Sequence, residues 1–329
     1  MSRPWTAERE VTPELAAELI SAQFPALAGA PVVLMAAGWD NVVYQVGGEW
    51  VFRFPQREIA VALAGKELTV LPRLAPLLPL PVPVPVFAGT GTDRYPWPFW
   101  GARRIPGTEL AQAGLPDTER GPAARAAGEF LGVLHDPALA GPIGASLPAD
   151  PNRRGDIVTR AQMAARALDR LAGERTWRPE RAVLDLLDRA GRSGIGYLVP
   201  HAAGGGLPAG GTAQARPGQA AVICHGDLHV RHLLVDAGGL ALGVIDWGDL
   251  CLADPAIDLS LAYAAFTGRP RAELFAAYGR SPGPEQELRA RVLAVFLSAM
   301  LAEYARAQGW PALLAESLAG LRRAVTDEG

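Results

Sequence analysis

Between Ala221 and Asp249 the chain sets apolar runs and polar turns in an order that allows few folds. Ala221-Val222-Ile223-Cys224 leads into His225-Gly226-Asp227-Leu228-His229-Val230-Arg231-His232; Leu233-Leu234-Val235, the turn Gly238-Gly239 and Ala241-Leu242-Gly243-Val244-Ile245 follow, ending in Asp246-Trp247-Gly248-Asp249. Short apolar runs bounded by Gly, Asp and His read as strands joined by tight turns. A strand, a loop holding Asp and His, a second strand, a Gly-Gly turn and a third strand would bring Asp227 and Asp246 to the same end of one pairing. Two carboxylates so placed suit divalent-cation and phosphate chemistry.

Composition narrows the partners. The 329 residues are 49% hydrophobic and 20% charged, far from the disordered corner, so the chain packs a core. A net charge of −3 gives no basic surface for a polyphosphate backbone or an anionic membrane, so nucleic acid is not an expected partner. Two cysteines, Cys224 and Cys251, cannot make a disulfide framework, and Met1-Ser2-Arg3-Pro4-Trp5 leads into charge instead of an apolar signal segment; the expected location is cytoplasmic. Apolar runs such as 293–297 fall short of the roughly 20 residues that span a bilayer, so no membrane insertion is expected.

Around this segment the periodicities divide the chain. Thr12-Pro13-Glu14 starts a helix over 12–20, by capping hydroxyl, proline and first-turn acid. Runs at 42–46 and 49–54 around Gly47-Gly48 predict a β-hairpin, and 58–74 returns to helical spacing. The proline-rich run 79–86 reads equally as an extended edge segment or a rigid connector. Beyond Trp100-Gly101 the pattern is mostly helical, near 119–135, 156–172, 179–190, 285–307 and 313–325. Residues 191–219, crowded with Gly, Pro and Ala, read as a mobile loop, and no repeat of 20–50 residues is visible.

Protein kinases place a catalytic Asp and a metal-binding Asn five residues apart, then a second metal-binding Asp in D-F-G. Here Asp227 and His232 are five apart and Asp246-Trp247-Gly248 follows one hairpin later. The extended form, HGDLH and then IDWGD with DPAIDL at 254–259, resembles the aminoglycoside phosphotransferase family of small-molecule kinases, including its macrolide kinase relatives. A competing reading is zinc, since His225, His229 and His232 lie beside Cys224. Against it, an adjacent Cys-His pair on a strand points to opposite faces, and no C-x-x-C or H-E-x-x-H spacing accompanies it.

The resemblance spans about residues 32–305, with its specific motifs at 221–259. It implies an α+β, bilobed, protein-kinase-like fold, with a small mixed N-lobe over 1–101 that binds nucleotide and a larger, mainly helical C-lobe over 102–329 that carries catalysis and the acceptor. By this resemblance Asp227 orients the acceptor hydroxyl and takes its proton, Asp246 and His232 hold Mg²⁺, His225 braces the loop, and Trp247 and Gly248 shape the metal loop. Trp39, Asp40 and Asn41 lie where the family's nucleotide loop would run. Val51-Phe52-Arg53-Phe54-Pro55 resembles the third strand, with Arg53 in the place of the phosphate-binding lysine, a departure in geometry though not in charge. Glu67 matches the helix acid that orients that cation, and Lys66, directly before it, would point away from that face. The stretch around Arg103 and Ile105 resembles the hinge whose backbone reads the purine edge.

The implied donor is ATP or GTP and the implied acceptor a hydroxyl on an aminoglycoside- or macrolide-type antibiotic; the macrolide kinases also carry histidine at the place of His232. Two alternatives stay open: a metabolite kinase for an amino alcohol or sugar on the same fold, and a nucleotide-binding pseudoenzyme, to which the atypical Arg53 and His232 point. Asp254 and Asp258 read as capping or bracing residues, and Asp249 has no assigned role.

Overall fold

The computed structural model describes residues 7–38, 40–197 and 221–326. Trp39 and most of the loop expected at 191–219 lie outside the described residues. The chain divides into two compact units, Met1–Leu77 with Pro81–Pro106, and Leu78–Leu80 with Gly107–Gly329. The division falls a few residues past 101 because a strand first carries the chain to Arg103.

The first unit opens with α1 (Pro13–Gln23), capped by Thr12 Oγ1, which accepts from the Leu15 amide at 3.3 Å. Strands β1 (Val32–Ala37), β2 (Asn41–Val46) and β3 (Trp50–Pro55) follow, then α2 (Glu58–Leu74), β4 (Pro85–Gly89) and β5 (Phe99–Arg103). They form one antiparallel sheet in the order β1-β2-β3-β5-β4. The hairpin turns at Gly47 and Gly48, whose φ values of 58° and 82° are in the left-handed region that glycine enters without a Cβ clash. Of the proline-rich run only its end joins a strand, β4, at the sheet edge where missing amides cost no ladder bonds. Leu19 and Ile20 of α1 pack with Tyr44, Phe52, Phe54, Tyr95 and Phe99, and Phe54 stacks on Phe99 with ring centres 4.6 Å apart. Each such side chain contributes about 1.5–3 kcal/mol by burial.

The second unit carries β6 (Thr108–Glu109), α3 (Gly121–Leu134), α4 (Pro137–Ala140), α5 (Ile157–Gly173), α6 (Arg181–Arg192), β7 (Val222–Cys224), β8 (Leu233–Val235), β9 (Ala241–Val244), β10 (Cys251–Ala253), α7 (Ala256–Ala265), α8 (Gly268–Tyr278), α9 (Pro284–Gln308) and α10 (Pro311–Val325). Helix α9 packs against α5, α7 and α10, and α3 packs against α8. The strands correct one expectation. β7 pairs with β10, while β8 pairs with β9 and β6, so the 221–246 segment feeds two small sheets and not one. A three-residue strand offers too few backbone bonds to fix its own partner, and burial of Cys224 against Cys251 decides it.

Candidate active site

The loop between β7 and β8 is held from below by a buried carboxylate. Asp258, on α7 and fully buried, accepts from the backbone amides of His225 at 2.7 Å and Gly226 at 3.0 Å, and meets His135 Nε2 at 3.2 Å. Burial alone would raise its pKa, but the hydrogen bond and charge of His135, with the help of His225 and the Gly226 amide, pull it below the usual carboxylate value. His135 in turn meets Tyr278 Oη at 3.0 Å through Nδ1. Gly226 has φ of 87°, and a Cβ there would stand 2.2 Å from the Asp249 carbonyl oxygen, so the turn admits glycine alone.

His225 spans the loop: its Nδ1 accepts from the Asp227 amide at 3.2 Å, so Nε2 carries the proton donated to the Ile245 carbonyl at 2.9 Å. Its ring lies 4.7 Å from that of Trp247, which is fully buried and donates Nε1–H to the Val244 carbonyl at 3.0 Å. Gly248 is buried beside it. His232 joins the two acidic segments. Its Nδ1 donates to the Asp227 carbonyl at 2.8 Å, which leaves the lone pair of Nε2 facing Asp246 Oδ2 at 3.4 Å. Asp246 holds φ at 65°, a left-handed conformation rare for a residue with a Cβ. A nitrogen lone pair and a carboxylate oxygen on one side of the loop are donors a divalent cation accepts, although Mg²⁺ prefers oxygen.

The histidine cluster separates along these lines. Asp227, His229 and His232 form one group of potential ligand atoms, and His135, Cys224 and Asp258 form another. Cys224 thus parts from the three histidines beside it in sequence, which removes the zinc set first considered. Burial, then the neighbouring His232 and Arg231, holds the His229 pKa well below the ordinary imidazole value.

Sequence reasoning missed Arg154. It donates through Nη1 to Asp227 Oδ1 at 3.0 Å and through Nη2 to Asp249 Oδ2 at 2.7 Å. Asn152 donates to the other oxygen of Asp249 at 3.1 Å. The signal was the turn Asp150-Pro-Asn152-Arg153-Arg154-Gly155-Asp156, where Asp150 and Arg153 have positive φ and Asp150 accepts from the amides of Arg154 and Gly155. Beside Gly226 a small cavity of about 10 Å³, room for about one water, is lined by Arg154, Arg160, Ile257, Leu293, Phe296 and Leu297. Asp254 accepts from the Ala256 amide at 2.9 Å and from Gln286 at 3.1 Å at the start of α7.

In the first unit, Arg53 on β3 meets Glu67 of α2 at 3.2 Å; Glu67 is 1% exposed and also accepts from Trp100 Nε1 at 3.3 Å. With its amide oxygen turned to the guanidinium, Asn41 accepts from Arg53 at 3.0 and 3.2 Å. Asp40 pairs with Arg57 at 2.8 Å. Lys66 is half-buried on α2. Arg103 ends β5 paired with Glu49 at 3.4 Å and stacked over Trp50, and Ile105 follows, half-buried, outside any strand.

An antiparallel five-stranded sheet with a strand-to-helix ion pair, and a helical unit with an aspartate loop and a second aspartate one hairpin later, define the kinase-like class of α+β folds. Residues 32–295 match the family model described as the phosphotransferase enzyme family, and the chain belongs to that family. It is therefore a phosphotransferase by class. Among solved structures it is similar to the GDP and kanamycin complex of APH(2")-IIIa, with a TM-score of 0.62 and 21% identity over 94% of this chain and 97% of that one. It is also similar to macrolide 2'-phosphotransferase MphH from Brachybacterium faecium, with a TM-score of 0.53 and 22% identity over 94% of this chain and 97% of that one. A curated relative, the uncharacterized protein YcbJ of Bacillus subtilis (strain 168), is 39% identical over 67 residues; the match spans 20% of this chain and 22% of that protein. Among the described residues no helix is long and apolar enough to cross a membrane.

Proposed function

We propose that this chain transfers the γ-phosphoryl group of ATP or GTP to a hydroxyl of a small molecule. The observation that carries the reading is His232, bonded at 2.8 Å to the Asp227 carbonyl and 3.4 Å from the Asp246 carboxylate, which sets the proposed base and the proposed metal ligand on one imidazole. Asp227 orients the hydroxyl and takes its proton as the acceptor oxygen bonds to the γ-phosphorus. The bond from that phosphorus to the bridging oxygen breaks, and the nucleoside diphosphate leaves. Asp246 and His232 would hold Mg²⁺, which supplies positive charge to the phosphate oxygens. The first unit is the nucleotide-binding one, with Arg53 held by Glu67 for the donor phosphates, residues 39–41 as the flap over them, and the backbone from Arg103 to Ile105 for the purine edge. The second unit is catalytic and acceptor-binding.

The similar structures bear kanamycin or the macrolide name, which supports an aminoglycoside- or macrolide-type antibiotic as acceptor. A coupled assay with ATP and GTP against aminoglycosides, macrolides, amino alcohols and sugars, run on the wild type and Asp227→Asn, tests the reading. Transfer by the wild type and its loss by about 10²–10⁴-fold in the variant is expected. Undiminished transfer in Asp227→Asn would end the assignment of the base, and nucleotide binding without transfer to any acceptor would make the chain a pseudoenzyme.

A further inference from the structure

Asn41 and Arg53 are diagonal neighbours across the β2–β3 ladder. Val43 stands opposite Arg53, so Asn41, two residues earlier on β2, shares the face that carries Arg53, at a separation a long side chain spans. The Asn41 amide oxygen accepts from Arg53 Nε at 3.2 Å and from Nη2 at 3.0 Å, while Glu67 Oε1 accepts from Nη1 at 3.2 Å. Each of the three guanidinium nitrogens is thus held, through three of its five N–H groups. The holders are themselves fixed. Asn41 is buried, and Asp40 before it accepts from the Gln56 amide at 2.7 Å and pairs with Arg57 at 2.8 Å, which ties the start of β2 to the turn after β3. Glu67 is buried on α2 under the Trp100 Nε1–H.

An amide from the strand and a carboxylate from the helix set the plane of the fork, which one ion pair on a flexible stem would not. The Arg53 side chain keeps 16% of its surface exposed and Glu67 keeps 1%, so the acid lies behind and the cation reaches solvent. A lysine here would end in a single ammonium near the position of Cζ and could not meet Asn41 and Glu67 in the same way. We propose that Asn41 is a positioning residue for the donor phosphates: it orients the Arg53 fork, and the two residues act as a matched pair in the place the resemblance gives to a lysine. The inference rests on the reading of Arg53 as the phosphate-binding cation and adds that the orientation of the guanidinium, beyond its charge, sets the affinity for ATP. A fork already ordered loses little rotamer freedom when a phosphate arrives, a saving of about 3–10-fold in affinity.

Calorimetric titration of the whole chain with ATP and with adenosine tests the pair in the wild type, Asn41→Ala, Arg53→Ala, the double variant and Arg53→Lys. Asn41→Ala weakens ATP by about 3–10-fold and leaves adenosine unchanged, and the unchanged adenosine shows that the variant folds. In the Arg53→Ala background Asn41→Ala has no further effect, because the group it orients is gone. Arg53→Lys binds ATP more weakly than the wild type although the charge is kept. Unchanged ATP affinity in Asn41→Ala, equal losses for ATP and adenosine, full additivity of the two alanine variants, or wild-type ATP affinity in Arg53→Lys overturns the proposal. The two readings fail differently. A selective loss of ATP in Arg53→Ala without one in Asn41→Ala keeps the cation and removes the role of Asn41, whereas equal losses of ATP and adenosine in Arg53→Ala remove both.

Discussion

Arg154 reaches Asp227 at 3.0 Å with one guanidinium nitrogen and Asp249 at 2.7 Å with the other, so one side chain ties the proposed base to the turn after the second aspartate. Burial would lower the Arg154 pKa, yet Asp227 and Asp249 raise it above the ordinary value, and it stays charged. Without it both carboxylates would lose the cation they share. Arg154→Met is expected to destabilise the chain toward the lower end of the roughly 3–5 kcal/mol seen when one partner of a buried pair is removed, because these side chains remain about a fifth to a quarter exposed. Adding Asp249→Asn to it restores part of the loss. Urea unfolding of the two variants decides, and a change within about 0.5 kcal/mol for Arg154→Met would show the bridge to be ornamental.

Arg53 faces a similar test on the nucleotide side. If it contacts the donor phosphates, Arg53→Ala weakens ATP binding by about 10–150-fold and leaves adenosine binding nearly unchanged. Calorimetry with both ligands reads the difference. Equal losses for ATP and adenosine would reduce the Arg53–Glu67 pair to a brace between β3 and α2.

For His232 the expected outcome turns on ligand chemistry. Asparagine offers an oxygen to a hard cation where histidine offers a nitrogen, so His232→Asn retains transfer with an equal or lower Mg²⁺ requirement, while His232→Ala raises it. Initial rates measured across a Mg²⁺ titration separate the variants. Identical Mg²⁺ curves for wild type and His232→Ala would leave this residue a loop brace.

Folding should weaken in mild acid. Burial lowers the pKa of both His225, against the opposing charge of Asp258, and His229, with His232 adding to it, and each ring accepts a backbone amide at Nδ1, as a neutral ring does. The unfolded chain then binds more protons than the folded one below the ordinary imidazole value of about 6.5. Stability from these groups is complete above that pH and falls below it, approaching about 1.4 kcal/mol per pH unit for each histidine. Melting temperatures at pH 7.5, 6.5 and 5.5 follow the fall, and His229→Asn removes part of the slope. A flat profile over that range would mean that the two rings charge without unfolding.

The sequence determined what local chemistry can encode. Thr12, the Gly47-Gly48 turn and the amphipathic stretches placed α1, the β2–β3 hairpin, α2, α3, α5, α6, α9 and α10 to within a few residues, since caps, left-handed glycines and a one-sided apolar stripe act over a turn or two. The motifs around Asp227, His232 and Asp246 resembled those of the aminoglycoside phosphotransferases, and the family match bears out phosphotransfer as the class. Tertiary structure decided the rest. Helix α7 gave no periodic signal because it is buried on every side, and only its packing brings Asp258 under the 225–226 amides. The pairing of β7 with β10 was hidden for a related reason, since strands of three residues carry no register of their own. Arg154 and Arg160 looked like two more charges in an arginine-rich chain, and lie 73 and 67 residues before Asp227. A side chain's partner at that distance is set by how α5, α7 and α9 pack, and no spacing along the chain records it.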